Sequence, residues 1–149
     1  MIRITKIFRF ESAHLLLGYN GPCKNIHGHS YELHVTVKGV PINDDSDSNN
    51  GMVLEFSIIK DLVNEEIINN LDHALILPER VDKSLIETLK GLGQKVVFTN
   101  YQPTCENLLT DFARVLNEKL PNNIQLQNLR LYETASSYAE WCLEDQTNT

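Results

Sequence analysis

The first pattern along the chain is an alternation. Ile2, Ile4, Phe8 and Phe10 fall on one parity, and Arg3, Thr5 and Arg9 on the other. A period of two marks a strand with one polar face, because successive side chains point to opposite sides. Residues 29–39 alternate again, with Tyr31, Leu33, Val35 and Val37 on one side. The intervening loop carries Gly18, Gly21 and Pro22, so the two runs predict a long hairpin.

Beyond a polar, acidic loop the period becomes helical. Ser57 is positioned as the cap of a helix through about residue 70, with Ile58, Ile59, Leu62 and Val63 on one face. A short helix over 84–90 runs into the glycines at 91 and 93, and residues 96–98 form a short apolar run. Thr104 caps a stronger helix, whose stripe is Leu108, Leu109, Phe112, Ala113, Leu116 and Leu120. Pro121, Asn122 and Asn123 stop it, and residues 124–133 and 138–144 read as two closing strands. The order strand–strand, helices, strand–strand predicts an α+β fold with antiparallel pairing.

Composition narrows the picture. The 149 residues suit one domain over 1–149, with no internal repeat and no dividing linker. No apolar run reaches the length of a membrane span, and the N-terminus shows no signal-peptide pattern. Three cysteines without a C-x-x-C pair fit a reducing, cytoplasmic setting better than a disulfide framework. The net charge of −7 argues against general nucleic-acid binding, while leaving room for a small anionic substrate in a local basic pocket. Asp45, Asp47 and Asn49 have calcium-loop spacing, but Asn50 and Phe56 occupy the places of the required Gly and Glu, so this segment reads as a solvated loop.

The chemistry concentrates in CKNIHGHSYELHV, residues 23–35. On a strand His27 and His29 share a face, and Gly28 between them leaves room for an ion or ligand. A hairpin closing through 15–26 brings His14 opposite them. Three neutral imidazoles suit Zn²⁺, with a fourth position open to water or substrate. The alternative is a set of polar surface or turn histidines. His34 has the opposite parity to His29 and reads as structural or surface. Cys23 is a fourth zinc ligand, a reactive thiol beside the metal, or a small turn residue. Asp72 and His73 can form a carboxylate–imidazole acid–base pair, although sequence does not say what Asp72 touches. Glu133 shares the parity of Leu129 and Leu131, an apolar face where a carboxylate needs a partner. That partner is a cation, or a ligand edge with two adjacent N–H donors such as an amino-pyrimidinone. Glu106 reads as favourable charge in the first turn of its helix.

Taken together, F-E-S-A-His14, Cys23-x3-His27-Gly-His29-x-Tyr, G-M-V-L-E-F, L-Asp72-His73, P-Thr104-C-E-N and Glu133-T resemble the 6-pyruvoyl/6-carboxy-tetrahydropterin synthase family, in the family's order and over residues 10–134. The Cys23-to-His27 spacing is similar to the bacterial carboxy-forming branch of queuosine (7-deazapurine) biosynthesis. The resemblance implies a tunnelling (T-) fold, an antiparallel sheet with helices packed on one face. It implies a homo-oligomer, commonly a hexamer built as a dimer of trimers, with active sites between subunits. It implies zinc on His14, His27 and His29, Cys23 as catalytic thiol, and Asp72 with His73 as acid–base pair. Glu133 is then the pterin anchor, helped by the Thr104 region. The implied reaction converts 7,8-dihydroneopterin triphosphate to 6-carboxy-tetrahydropterin, releasing acetaldehyde and triphosphate. Pyruvoyl-forming or aldolase-like variants and a non-catalytic zinc-stabilised pterin-binding module are the alternatives. Two positions depart from the pattern: Glu55 stands where Asp is usual, and Cys105 where a small or hydroxyl residue is commoner. The cations for the triphosphate are not identified, and Lys24 and Arg130 lie near the motifs only in sequence.

Overall fold

The structure is a computed structural model, and residues 1–146 are described. The predicted hairpin is its centre. β1 (Ile2–His14) pairs antiparallel with β2 (His27–Gly39) in unbroken register from Ile2 opposite Gly39 to His14 opposite His27. β5 (Gln125–Thr134) continues the sheet beside β2, and β6 (Ser137–Cys142) closes that edge. These four strands are antiparallel, as the alternation predicts. The rest of the sheet is not. β3 (Ala74–Pro78) lies parallel to the end of β1, and β4 (Val96–Thr99) lies parallel to β3, so the sheet is mixed, in the order β4-β3-β1-β2-β5-β6.

The expected antiparallel pairing therefore holds for four strands, and one edge adds two parallel ones. The chain leaves β2, crosses the sheet through helices and returns in the direction of β1, and such a crossover delivers a parallel neighbour. β3 itself escaped the sequence reading. Its five residues, ALILP, form a continuous apolar run, and periodicity alone does not separate a short buried strand from the end of a buried helix.

The main helical layer covers one face. α1 (Phe56–Val63) continues through a π-helical turn (Asn64–Ile68) into α2 (Asn69–Leu71), and α4 (Cys105–Lys119) packs beside it. The first helix starts before Ser57. Glu55 is the N-cap residue, and the Ser57 hydroxyl, inside the first turn, donates to the Glu55 carboxylate at 3.0 Å. Thr104 does cap α4, its hydroxyl accepting from the Asn107 amide at 3.3 Å. The expected stripe of α4 is buried at Leu108, Leu109, Phe112, Ala113 and Leu116, against Leu33, Val35, Leu129 and Leu131 of the sheet. Each such side chain contributes roughly 1.5–3 kcal/mol on full burial, so this layer holds the sheet in place. α3 (Lys83–Gly91) starts at the Asp82 cap and packs with Leu77 and Val81 in a smaller cluster around β3 and β4. α5 (Leu143–Gln146) follows β6. In the acidic loop the carboxylates turn inward: Asp44 accepts from the Ser46 amide and Asp47 from the Asn49 amide, which are Asx turns.

Candidate active site

The core face of the hairpin changes character along its length. Phe8 and Phe10 of β1 face Leu33 and Tyr31 of β2, and one step further Ser12 faces His29 and His14 faces His27. The same parity that buries the aromatics therefore aims the histidines toward the helix side. His14 is 2 % exposed, while His27 and His29 are partly buried.

The imidazoles converge through hydrogen bonds on their far nitrogens. His14 Nδ1 lies 2.7 Å from the Pro103 carbonyl oxygen, and His27 Nδ1 lies 2.8 Å from that of Asn25. A carbonyl only accepts, so each Nδ1 carries the proton and each Nε2 keeps its lone pair. The two Nε2 atoms lie 3.1 Å apart, close to the ~3.3 Å that two nitrogens show on one tetrahedral zinc. The His29 ring stands 5.1 Å from both other rings, nearly perpendicular to each. One ligand nitrogen from each of the three lies within 4.8 Å of the others. Burial lowers the His14 pKa, an effect strengthened by the neighbouring His27 and His29, while the Pro103 hydrogen bond and Glu133 oppose it. A neutral imidazole is the form a metal binds. The donor set thus fits a zinc-type cation. Among the described residues this group contains neither Cys23 nor a carboxylate.

Cys23 sits in a 3-10 turn, Pro22–Lys24, as a partly buried free thiol. Its carbonyl accepts from the Leu16 amide at 2.9 Å, which ties the loop back to the end of β1.

Asp72 and His73 bond each other directly, against the expectation for neighbours in regular structure. His73 Nδ1 lies 3.0 Å from Asp72 Oδ2. The local reason is the backbone: His73 has φ 57°, in the left-handed region, which folds its ring toward the preceding carboxylate. The other Asp72 oxygen accepts from the Glu11 amide at 2.9 Å. That bond chiefly, then the His73 contact, holds the Asp72 pKa below the usual carboxylate range. His73 and His29 line one open cavity of about 430 Å³, with Gly28, Ser30, Glu11 and Lys95 also on its wall. Gly28 faces away from the imidazole cluster, so the space it leaves serves this cavity, and a Cβ there would sit 3.2 Å from the Ser12 carbonyl oxygen. The larger cavity, about 800 Å³ between the π turn, β4 and α4, contains none of the sequence-predicted site residues.

Glu133 lies beyond Leu131 on β5, half-buried, where its charge helps raise the pKa values of Tyr31 and Cys105 and opposes the lowering at His14. Burial is the larger cause for Tyr31, and for Cys105, whose thiol is pushed up to about 12. Cys105 is thus an inert buried thiol. Thr104 spends its hydroxyl on the helix cap, and its neighbour Pro103 supplies the carbonyl that orients His14. Sequence reading missed this carbonyl, and it gave no role to Tyr31, whose buried hydroxyl faces the Glu133 carboxylate in the same region. The H-x-H-x-Y spacing carried the signal for Tyr31, since it shares the parity of His27 and His29. His34 is where parity placed it, on the other face, 2.8 Å from Glu32. Arg130 is on that face too, paired with Glu140 at 2.7 Å, and so stands apart from the imidazoles.

A mixed sheet with helices on one face, and a three-imidazole metal-type group at the end of its central hairpin, define a T-fold domain. The chain belongs to the 6-pyruvoyl tetrahydropterin synthase family, whose model matches residues 3–143. It is 35% identical over 145 residues to the 6-carboxy-5,6,7,8-tetrahydropterin synthase of Haemophilus influenzae, covering 95% of this chain and 99% of that protein. It is 32% identical over 143 residues to the synthase of the same name from Rickettsia felis, covering 94% and 99%. The fold matches an uncharacterised protein from Wolinella succinogenes (TM-score 0.72, 16% identity, 95% and 98% of the two chains). It also matches the 6-pyruvoyl tetrahydropterin synthase of Plasmodium falciparum (TM-score 0.68, 19% identity, 94% and 96%).

Proposed function

We propose that this chain is a zinc-dependent lyase, a 6-carboxy-5,6,7,8-tetrahydropterin synthase acting on 7,8-dihydroneopterin triphosphate with release of acetaldehyde and triphosphate. The observation that carries this reading is the convergence of three imidazoles on a single point. A carboxylate-bound histidine opens separately onto the cavity behind Gly28, on the other side of the same hairpin end. The near-full-length relatives, named as 6-carboxy-5,6,7,8-tetrahydropterin synthases, support a pterin as the ligand class.

Zinc on His14, His27 and His29 would polarise oxygens of the substrate side chain. The protein's own groups divide the remaining work. Glu133 accepts the paired N–H donors of the pterin ring and so fixes the ring against the site. Cys23, as thiolate, takes a carbon-bound proton. His73 gives a proton back or relays it, and Asp72 holds the imidazole with Nδ1 toward the carboxylate, leaving Nε2 for the transfer. Thr104 contributes through the α4 start, where its cap positions the Pro103 carbonyl behind His14. The cavity at His73 is open, which suits an active site completed by a neighbouring subunit in a homo-oligomer, a dimer of trimers. The queuosine route and a cytoplasmic setting go with this reading, and the free cysteines agree with a reducing compartment.

Incubation with dihydroneopterin triphosphate, followed by mass spectrometry with and without a zinc chelator, tests the proposal. 6-Carboxy-tetrahydropterin and acetaldehyde, both lost with the chelator, are expected. Release of triphosphate without acetaldehyde would replace this reading with pyruvoyl formation. A non-catalytic pterin-binding module would yield neither product.

A further inference from the structure

The left-handed backbone of His73 is held from two sides. Outside glycine this conformation is disfavoured, and it persists only where surrounding structure fixes it. From the β1 side, the His73 amide donates to the Glu11 carbonyl at 2.6 Å, and the Glu11 amide donates to Asp72. The Ser12 hydroxyl bonds the carbonyls of Leu71 and Ala74. From the β4 side the hold comes from Lys95. Its ammonium donates to the carbonyl of Asn69 at 2.8 Å and to that of Asp72 at 2.8 Å. Its own carbonyl accepts from the Leu75 amide at 2.9 Å. Asn69 and Asp72 bracket the end of α2, where carbonyls without a helical partner carry partial negative charge. One cation thus meets the carbonyl immediately before the strained residue and the one four positions before it.

We propose that Lys95 is a positioning residue for His73: by tying the Asn69 and Asp72 carbonyls together, its ammonium fixes the left-handed turn that presents the imidazole to the cavity beside His29. Lys95 acts through backbone oxygens, leaving the imidazole to its contact with Asp72. The inference rests on the reading of Asp72 and His73 as the proton-transfer pair. It adds a role for the segment between α3 and β4, which otherwise only extends the sheet.

Lys95→Met and Lys95→Arg in the zinc-loaded protein test this, with steady-state turnover of dihydroneopterin triphosphate and amide hydrogen exchange of His73 as separate readouts. For Lys95→Met, kcat falls about 10- to 100-fold with KM and zinc content unchanged, the scale of a misplaced catalytic group. The His73 amide exchanges faster while the amides of β2 and β5 do not. Lys95→Arg, which keeps two donors for the two carbonyls, restores both. Unchanged exchange at His73 in Lys95→Met overturns the proposal whatever happens to turnover. A raised KM with kcat intact does so too, since it makes Lys95 a substrate contact. If the unsubstituted protein does not turn over the substrate, the enzymatic reading fails, and the exchange comparison alone decides whether Lys95 fixes the turn.

Discussion

β2 carries histidines on both faces, and their surroundings separate a site from a surface. On the helix-covered face, His27 and His29 meet His14, and two of the three have Nδ1 engaged by backbone carbonyls, so lone pairs turn toward one another. On the other face, His34 leans on Glu32, which Arg9 also holds at 2.7 Å. The first arrangement gathers acceptors with no proton to share and calls for a cation. In the second, Arg9 already meets the carboxylate on which the imidazole leans. Residue type is the same on both faces, and the difference lies in what occupies the far nitrogen.

The largest effect that can break this contrast is loss of metal. His27→Ala lowers zinc affinity by more than about 100-fold, beyond the usual loss of an outer-shell partner, whereas His34→Ala leaves it unchanged. Elemental analysis after dialysis against a graded chelator reads both, and equal loss in the two variants would erase the distinction between the faces.

Cys23→Ala comes next. Turnover drops about 10²- to 10⁴-fold with zinc retained, the range of a lost acid–base group. If zinc leaves with the thiol, Cys23 is a ligand and the site is structural.

A smaller effect lies in acid. Asp72 has a folded-state pKa below its unfolded one, so its stabilising contribution is complete above about pH 4 and is lost as pH falls through the lower folded value. Urea midpoints measured from pH 6 down to 3 should fall less steeply in Asp72→Asn than in the parent. Parallel curves would show that the Glu11 and His73 contacts do not hold the carboxylate.

The smallest effect belongs to the exposed face. His34→Gln changes stability by less than about 1 kcal/mol, as expected of a surface pair, and leaves turnover intact. A thermal melt and one activity assay suffice, and a loss of activity would make the polar sheet face part of the function.

Much of this was legible in the chain. The alternation of residues 2–10 and 29–39 gave the hairpin, its loop gave the approach of His14 to His27, and parity alone set His34 apart. The stripe of α4 and the Thr104 cap were equally plain, since each depends on residues a few places apart. Other features were not. ALILP has no alternation to expose, because both of its faces are covered. Ser57 is a good cap residue that the helix overruns by starting two residues earlier, where Glu55 takes the extended backbone. The direct bond between Asp72 and His73 depends on a positive φ in a histidine, which no local preference announces.

Sequence by itself determined which residues share a face, because side-chain direction follows from the two local periods. It fixed in this way the antiparallel half of the sheet, the buried helix stripes and the candidate imidazoles. Tertiary structure decided the parallel edge, the Pro103 carbonyl that orients His14 from 89 positions away, and the meeting of Lys95 with the end of α2. Each of those contacts ends on a backbone group of a kind that every residue carries. Their partners are chosen only when packing brings distant segments within hydrogen-bond reach.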